Sequence, residues 1–316
     1  MEAFLDHYLG TNGSKSHHTR TAMIGNVKRL EKGLGKKFSE FTASDFEDAY
    51  AINEGLKSNY ANSTRLSAVL AIRSILKYLD ADEKITSKYD EIMSEYVAER
   101  KEQHMDQSKT KEEKQSWIEW PELQEKVSQL VPQIVKDDDM AYTVFRNFLL
   151  VSLFSLQPPT RLGNYMDMSY RTRAKMKRDA TKLKTHHNYI VYEGDGKYSF
   201  VFNNYKTAKT VGQIKHVVEN DLLNQVIHRW FTNYNVKRKE FLLNGSGKPM
   251  SQSATTNALL NGSKRYLNRP ISLNTYRHIF LTWYLSTNPS IEDKQKILTL
   301  IGHKYEPSTA EKYARV

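Results

Sequence analysis

The chain has 316 residues, 39% hydrophobic and 26% charged, with no cysteine, which excludes a disordered tail, a fibre, disulfides, thiolate metal sites and cysteine nucleophiles. Its 47 Lys and Arg against 36 Asp and Glu give a net charge of +11 and a pI near 9.4, pointing to a polyanionic partner, nucleic acid before membrane. The longest largely apolar stretch, residues 148–156 with two serines, falls well short of the ~20 residues of a membrane helix, so no membrane role is expected.

The opening MEAFLDHYLG has no basic stretch followed by an apolar one, so no secretory signal is expected. Val27, Leu30 and Leu34 form a short helical stripe ending near Gly35. Ala68, Leu70, Ala71, Ile75, Leu76 and Leu79 recur at helical spacing, with Asn62 or Ser63 as N-cap. Residues 1–103 are predicted to form a small all-helical domain. It is close to neutral, 15 bases against 16 acids over residues 1–105, but the signs come in blocks. Residues 15–37 carry seven bases and one acid, 40–56 five acids and no base, and 57–77 four bases and no acid. The two basic segments, with Arg65 and Arg73, are expected to face a phosphate backbone and the acidic block to face away. Between residues 99 and 115 the only strongly apolar side chain is Met105, so 104–116 reads as a linker or a solvated helix end.

Residues 117–316 are predicted as a second domain. Helices fit 121–135 and 140–156. Beyond residue 188 the period changes. Tyr189-Ile190-Val191-Tyr192, Glu193-Gly194-Asp195-Gly196 and Tyr198-Ser199-Phe200-Val201-Phe202 read as strand, glycine turn, strand, and a third strand follows over 212–218. Leu222, Leu223, Val226, Ile227, Trp230 and Phe231 form a wide helical stripe. Helices also fit 252–267, 273–286 and 290–301, the last closed by Gly302 at C′. Pro307-Ser308 opens one more short helix holding Tyr313. The predicted fold class is mainly α with a small antiparallel β-sheet.

The sequence has no P-loop, no G-x-G-x-x-G, no G-x-S-x-G elbow and no H-E-x-x-H. The His pairs at 17–18 and 186–187 have side chains pointing different ways, so no metal site and no cofactor are expected. Phosphate chemistry then rests on basic side chains and a nucleophile, and four segments supply them. They are Ser155-Leu-Gln-Pro-Pro-Thr-Arg161-Leu-Gly-Asn-Tyr165, Phe202-Asn-Asn-Tyr-Lys206-Thr207, Ile271-Ser-Leu-Asn274-Thr-Tyr-Arg277-His278 and Leu300-Ile-Gly-His303-Lys-Tyr-Glu-Pro-Ser308-Thr-Ala-Glu-Lys-Tyr313. Taken singly, each of these residues is an ordinary surface, ion-pair or packing residue. The ordered set is another matter.

In order and spacing these segments resemble the tyrosine recombinases, the family of phage integrases and Xer-type resolvases. The family words are an Arg after a helix, a hairpin Lys, H-x-x-R-H, L-G-H and a closing S-T-x-x-x-Y. The resemblance covers about residues 117–316, and the helical first domain corresponds in size and position to the family's core-binding, DNA-binding domain. Q-P-P before the first arginine and Y-K-T after the strand look most like integrases of large eukaryotic DNA viruses and their mobile elements. The resemblance implies Tyr313 as nucleophile, Arg161 and Arg277 as a phosphate clamp, His303 as hydrogen-bond donor or proton-transfer aid, and Lys206 as the acid for the leaving oxygen, with Lys209 its rival. Asn274 and His278 would support them.

Three departures stand out. Asn274 holds the place of the family's His or Lys and cannot carry charge. Asn164 stands where an acid often braces the first arginine. His303 and Tyr313 are ten residues apart, one more than is common, so 304–307 absorbs an insertion. Beside the site, residues 171–184 hold seven bases and one acid; Arg171, Arg173, Lys175, Lys177 and Arg178 are expected to contact phosphates.

The chain is read as a site-specific strand transferase that cuts and rejoins DNA through a 3′-phosphotyrosine. It would be a two-domain clamp acting as a homotetramer on two paired double-stranded sites, inside the cell with the DNA. Two rivals are a type IB topoisomerase-like relaxation enzyme, which resembles S-K-x-x-Y at the nucleophile, and a DNA-binding protein with a decayed site.

Overall fold

The computed structural model describes residues 1–9, 17–106, 108–183, 185–237, 240–302 and 314–315. The chain divides into two compact units, Met1–Asp106 and Gln107–Val316. No helix among the described residues is long and apolar enough to cross a membrane.

The first unit is helical: α1 (Glu2–Leu9), α2 (His17–Leu34), α3 (Ala49–Asn59), α4 (Asn62–Tyr78) and α5 (Glu83–Asp106). Helix α2 stops at Gly35, whose φ of 65° suits a residue without Cβ. Helix α4 is its centre. Ala68, Val69, Ala71, Ile72, Ile75 and Leu76 are all buried because α2 and α5 both pack on it. From α5, Tyr89, Ile92 and Tyr96 enter the same core, and the Tyr89 hydroxyl donates to the Phe46 carbonyl at 2.9 Å. Ala61 takes the cap position of α4, without a side-chain bond. Asn62 instead turns inward and donates to Glu99 at 2.5 Å, so neither expected cap residue serves as one.

The second unit begins with α6 (Lys111–Ser116), α7 (Trp120–Lys136) and α8 (Tyr142–Ser155). Helix α6 lies inside the expected linker. Thr110 and Glu113 form a reciprocal capping box there, which starts a helix without apolar periodicity. Next come β1 (Ser169–Thr172), α9 (Arg173–Arg178), β2 (Tyr189–Gly194), β3 (Lys197–Phe202), α10 (Ala208–Val211) and β4 (Ile214–Val217). The sheet order is β1-β2-β3-β4. Strands β2, β3 and β4 are antiparallel as expected, with Tyr192 opposite Tyr198 and Phe200 opposite His216. Strand β1 joins β2 in parallel, so the sheet is mixed. Asp195 and Gly196 both have positive φ, 48° and 73°, the geometry of a tight hairpin turn.

Helices α11 (Asp221–Arg229), α12 (Gln252–Leu267), α13 (Leu273–Ser286) and α14 (Ile291–Leu300) complete the unit. Helix α8 is buried from Phe148 to Ser155, because α7 and α12 cover it from two sides. The second core runs from Trp120 through Phe154, Phe200 and Trp230 to Tyr276. The short helix expected over 307–313 lies outside the described residues.

Candidate active site

Arg161 owes its place to a helix that must stop. Pro158 and Pro159 cannot continue α8, and Arg161 then opens a 3-10 turn over Leu162–Asn164. A buried network fixes this turn from below. Gln157 donates to the Tyr165 hydroxyl at 2.8 Å and accepts from His216 Nε2 at 2.9 Å. Burial pushes Tyr165 well above the usual tyrosine range and His216 down to about 4, so this layer is uncharged at neutral pH.

Arg277 lies on α13, which starts where the Ser272 hydroxyl accepts from Thr275 N–H at 3.2 Å. Only 3% of Arg277 is exposed. The two guanidiniums converge on one stretch of main chain. Arg161 donates to Gly302 O at 2.6 Å and Arg277 to Ile301 O at 3.3 Å. Thr207 adds its hydroxyl to Gly302 O at 3.0 Å. These carbonyls end α14, where the helix dipole favours cations. Gly302 reaches this position with φ 80°, the C′ conformation expected of it. His303 follows directly; it and Tyr313 lie outside the described residues.

Lys206 is exposed; of its chain neighbours, Tyr205 is buried and Thr207 bonds to Gly302 O. The structure puts it in a turn, not on a strand. Strand β3 ends at Phe202, and Lys209 is on α10. No continuous strand joins the two lysines. The turn is held by Asn188, which sequence reasoning missed. Asn188 is buried; its Oδ1 accepts from Asn203 N–H and Asn204 N–H at 2.8 Å each. Its Nδ2 donates to Asn204 O and Asn164 O, both at 2.9 Å. Asn164 is also buried, and its own Nδ2 has no hydrogen-bond partner.

The supporting residues take different places. Asn274 is exposed on the first turn of α13. His278 is turned to Glu113 instead, with Nδ1 and Oε1 2.5 Å apart, and Arg315 brings its guanidinium to 3.4 Å from Glu113 Oε2. Burial, reinforced by the Arg315 charge, lowers His278 despite Glu113. The neutral ring then donates from Nδ1. Burial raises Glu113, but the Thr110 N–H, His278 and Arg315 outweigh it and hold the carboxyl low.

Of the basic run, Arg173, Lys175, Lys177 and Arg178 are exposed on and beside α9. Arg171 lies over the Tyr189 ring at 5.4 Å. In the first unit Arg65 packs on Tyr96 at 4.9 Å with Glu99 3.6 Å away. Arg73 pairs with Asp90. Among the described residues no His, Asp and Glu cluster has the makings of a metal site.

The architecture matches solved structures along nearly its whole length. The XerH site-specific recombinase bound to difH substrate, in a pre-cleavage complex, aligns over 99% of this chain and 81% of its own at TM-score 0.58 and 11% identity. A lambda integrase dimer bound to a COC′ core site aligns over 99% and 94% at TM-score 0.55 and 14% identity. The fold is that of the tyrosine recombinases. No protein-family model and no curated protein matches the chain. Within the recombinase fold, the elements that meet at Gly302 are the end of α8, the β3–β4 connection, α13 and the end of α14.

Proposed function

We propose that the chain is a site-specific DNA recombinase or integrase that cuts and rejoins double-stranded DNA through a 3′-phosphotyrosine, without metal or ATP. The observation that carries this reading is the convergence of Arg161, Arg277 and Thr207 on the main chain immediately before His303. In this reading the Tyr313 hydroxyl attacks the scissile phosphorus. A bond from tyrosine oxygen to phosphorus forms and the bond to the 5′-oxygen breaks. The tyrosine proton passes to His303 or water, and the Lys206 ammonium protonates the departing oxygen. Arg161 and Arg277 hold the charge on the nonbridging oxygens, with Asn274 as a neutral donor. The ester retains the bond energy, so the 5′-hydroxyl of another strand reverses the step and rejoins DNA.

Two neighbours of this fold are complexes with a difH substrate and a COC′ core site, which supports duplex DNA as the substrate here. The exposed bases of α9 support phosphate binding beside the site. Arg65 and Arg73 reach a phosphate by leaving Glu99 and Asp90, as Arg173 and Arg178 do by leaving Glu193 and Asp179. The working form is a homotetramer on two paired sites, within the cell and with its DNA.

The test is adduct trapping on nicked suicide substrates. Wild type should form covalent protein–DNA adduct with or without chelator, and Tyr313→Phe should bind DNA and form none. Adduct that persists in Tyr313→Phe, or is lost to EDTA, refutes the mechanism. Relaxation of supercoils by single protomers without paired sites would move the chain to the topoisomerase class. Binding without any adduct in wild type would leave only a DNA-binding protein.

A further inference from the structure

Lys206 has an exposed, flexible side chain, so its aim depends on where its main chain is held. Two anchors flank it. On the C-terminal side Thr207 bonds to Gly302 O. On the N-terminal side lies Asn188, whose amide has two donors and two acceptor sites, all in use. Oδ1 takes the N–H groups of Asn203 and Asn204, and Nδ2 reaches Asn204 O and Asn164 O. Only one orientation of the amide fits, because a flip would set donor against donor and acceptor against acceptor. Asn164 ends the 3-10 turn that Arg161 opens, and its N–H bonds to Arg161 O at 3.0 Å. One side chain, only 3% exposed, therefore ties the turn of the first arginine to the turn of the lysine.

We propose that Asn188 is a positioning residue that sets the Lys206 ammonium against the leaving oxygen while Arg161 holds the phosphate. This rests on Lys206 being the general acid. A displacement of ~1 Å at a reacting group can lower a rate ~100-fold, and a missing acid commonly costs about 10²–10⁴. Loss of the staple should resemble a weakened loss of the lysine, not a loss of binding.

Single-turnover cleavage is compared on normal DNA and on DNA whose scissile 5′-oxygen is replaced by sulfur, which leaves without a proton. Asn188→Ala should slow the normal substrate by roughly 10- to 100-fold and cleave the sulfur substrate within a few-fold of wild type, with DNA affinity unchanged. In a Lys206→Ala background the same change should cost nothing further on normal DNA. Asn188→Asp keeps the size and the acceptors but loses the donors to Asn164 O and Asn204 O. If the alanine variant is unfolded at the assay temperature, the aspartate variant carries the comparison and should show the same selective rescue. Equal slowing on both substrates, with Lys206→Ala still rescued by sulfur, overturns the role of Asn188 and leaves Lys206 as the acid. If sulfur does not rescue Lys206→Ala, the acid assignment fails and the role of Asn188 fails with it.

Discussion

Acidification should loosen the second unit from beneath the Arg161 turn, and His216 is the group that reports it. Its Nε2–H donates to Gln157 Oε1, and burial lowers its pKa from 6.5 to about 4. The unfolded chain takes up this proton near pH 6.5, whereas the folded chain refuses it until about pH 4. The stability tied to neutral His216 is therefore complete above the unfolded value and is lost as pH falls toward the folded one. At about 1.4 kcal/mol per pH unit the full window is worth about 3 kcal/mol. His216 is mostly but not fully buried, and the solvent it keeps brings the expectation down to about 2 kcal/mol. His216→Gln keeps a donor for Gln157 and removes the titration. Urea unfolding of the second unit, followed from pH 6.5 down to 4, should show wild type losing about 2 kcal/mol more than His216→Gln. Parallel profiles for the two proteins would refute the neutral, buried state of His216.

Two helical glycines should respond to alanine with opposite signs. A Cβ on Gly262 would lie 2.7 Å from Asn147 O and 2.9 Å from Val151 Cγ2, so overpacking of about 1–3 kcal/mol should exceed the helix-propensity gain of about 1 kcal/mol. Gly55 on α3 meets nothing within 4 Å, so Gly55→Ala should raise the melting of its unit; calorimetry with Gly262→Ala also stabilising would refute the close α8–α12 approach. Neutralising Lys175, Lys177 and Arg178 should weaken DNA binding uniformly across sequences and lower the salt slope by about one for each phosphate no longer neutralised. An unchanged slope in a salt titration would remove α9 from the DNA interface.

Much of the fold was legible because its elements follow local rules. The stripe from Ala68 to Leu79 gave α4, and the alternation around Glu193-Gly194-Asp195-Gly196 gave the β2–β3 hairpin. Helix α13 matches its expected bounds, since Ser272 caps its start. Three features were hidden. Helix α6 has no apolar stripe, and its signal was the T-x-x-E box of Thr110 and Glu113, set within a charged run. Parallel pairing of β1 is a long-range interaction on which residues 169–172 alone are silent. The α4 cap failed because Asn62 is used inward by Glu99, a tertiary demand that overrides a local preference.

The site divides along the same line. Arg161 and Gly302 stand at element ends that carry their own signal, two prolines and a C′ glycine, and Arg277 lies just past the first turn of α13, which Ser272 caps. Chemistry and punctuation coincide there, since helix ends are where main-chain polar groups need partners. Thr207 was visible only as the last letter of the Y-K-T word, with no hint that it would bond to Gly302. Asn188 has no such marker. It stands between a basic segment and a strand, and every group it satisfies is main chain from other segments, Asn164, Asn203 and Asn204. A carbonyl or N–H has no residue letter, so a side chain whose work is to join main-chain turns leaves no pattern in a single sequence. The arginines reach Ile301 and Gly302 in the same way, through carbonyls that any residue could supply. What the motifs encode is thus the identity of the charged groups. Their mutual placement is written in main-chain hydrogen bonds, to which the uncharged side chains of Thr207 and Asn188 contribute.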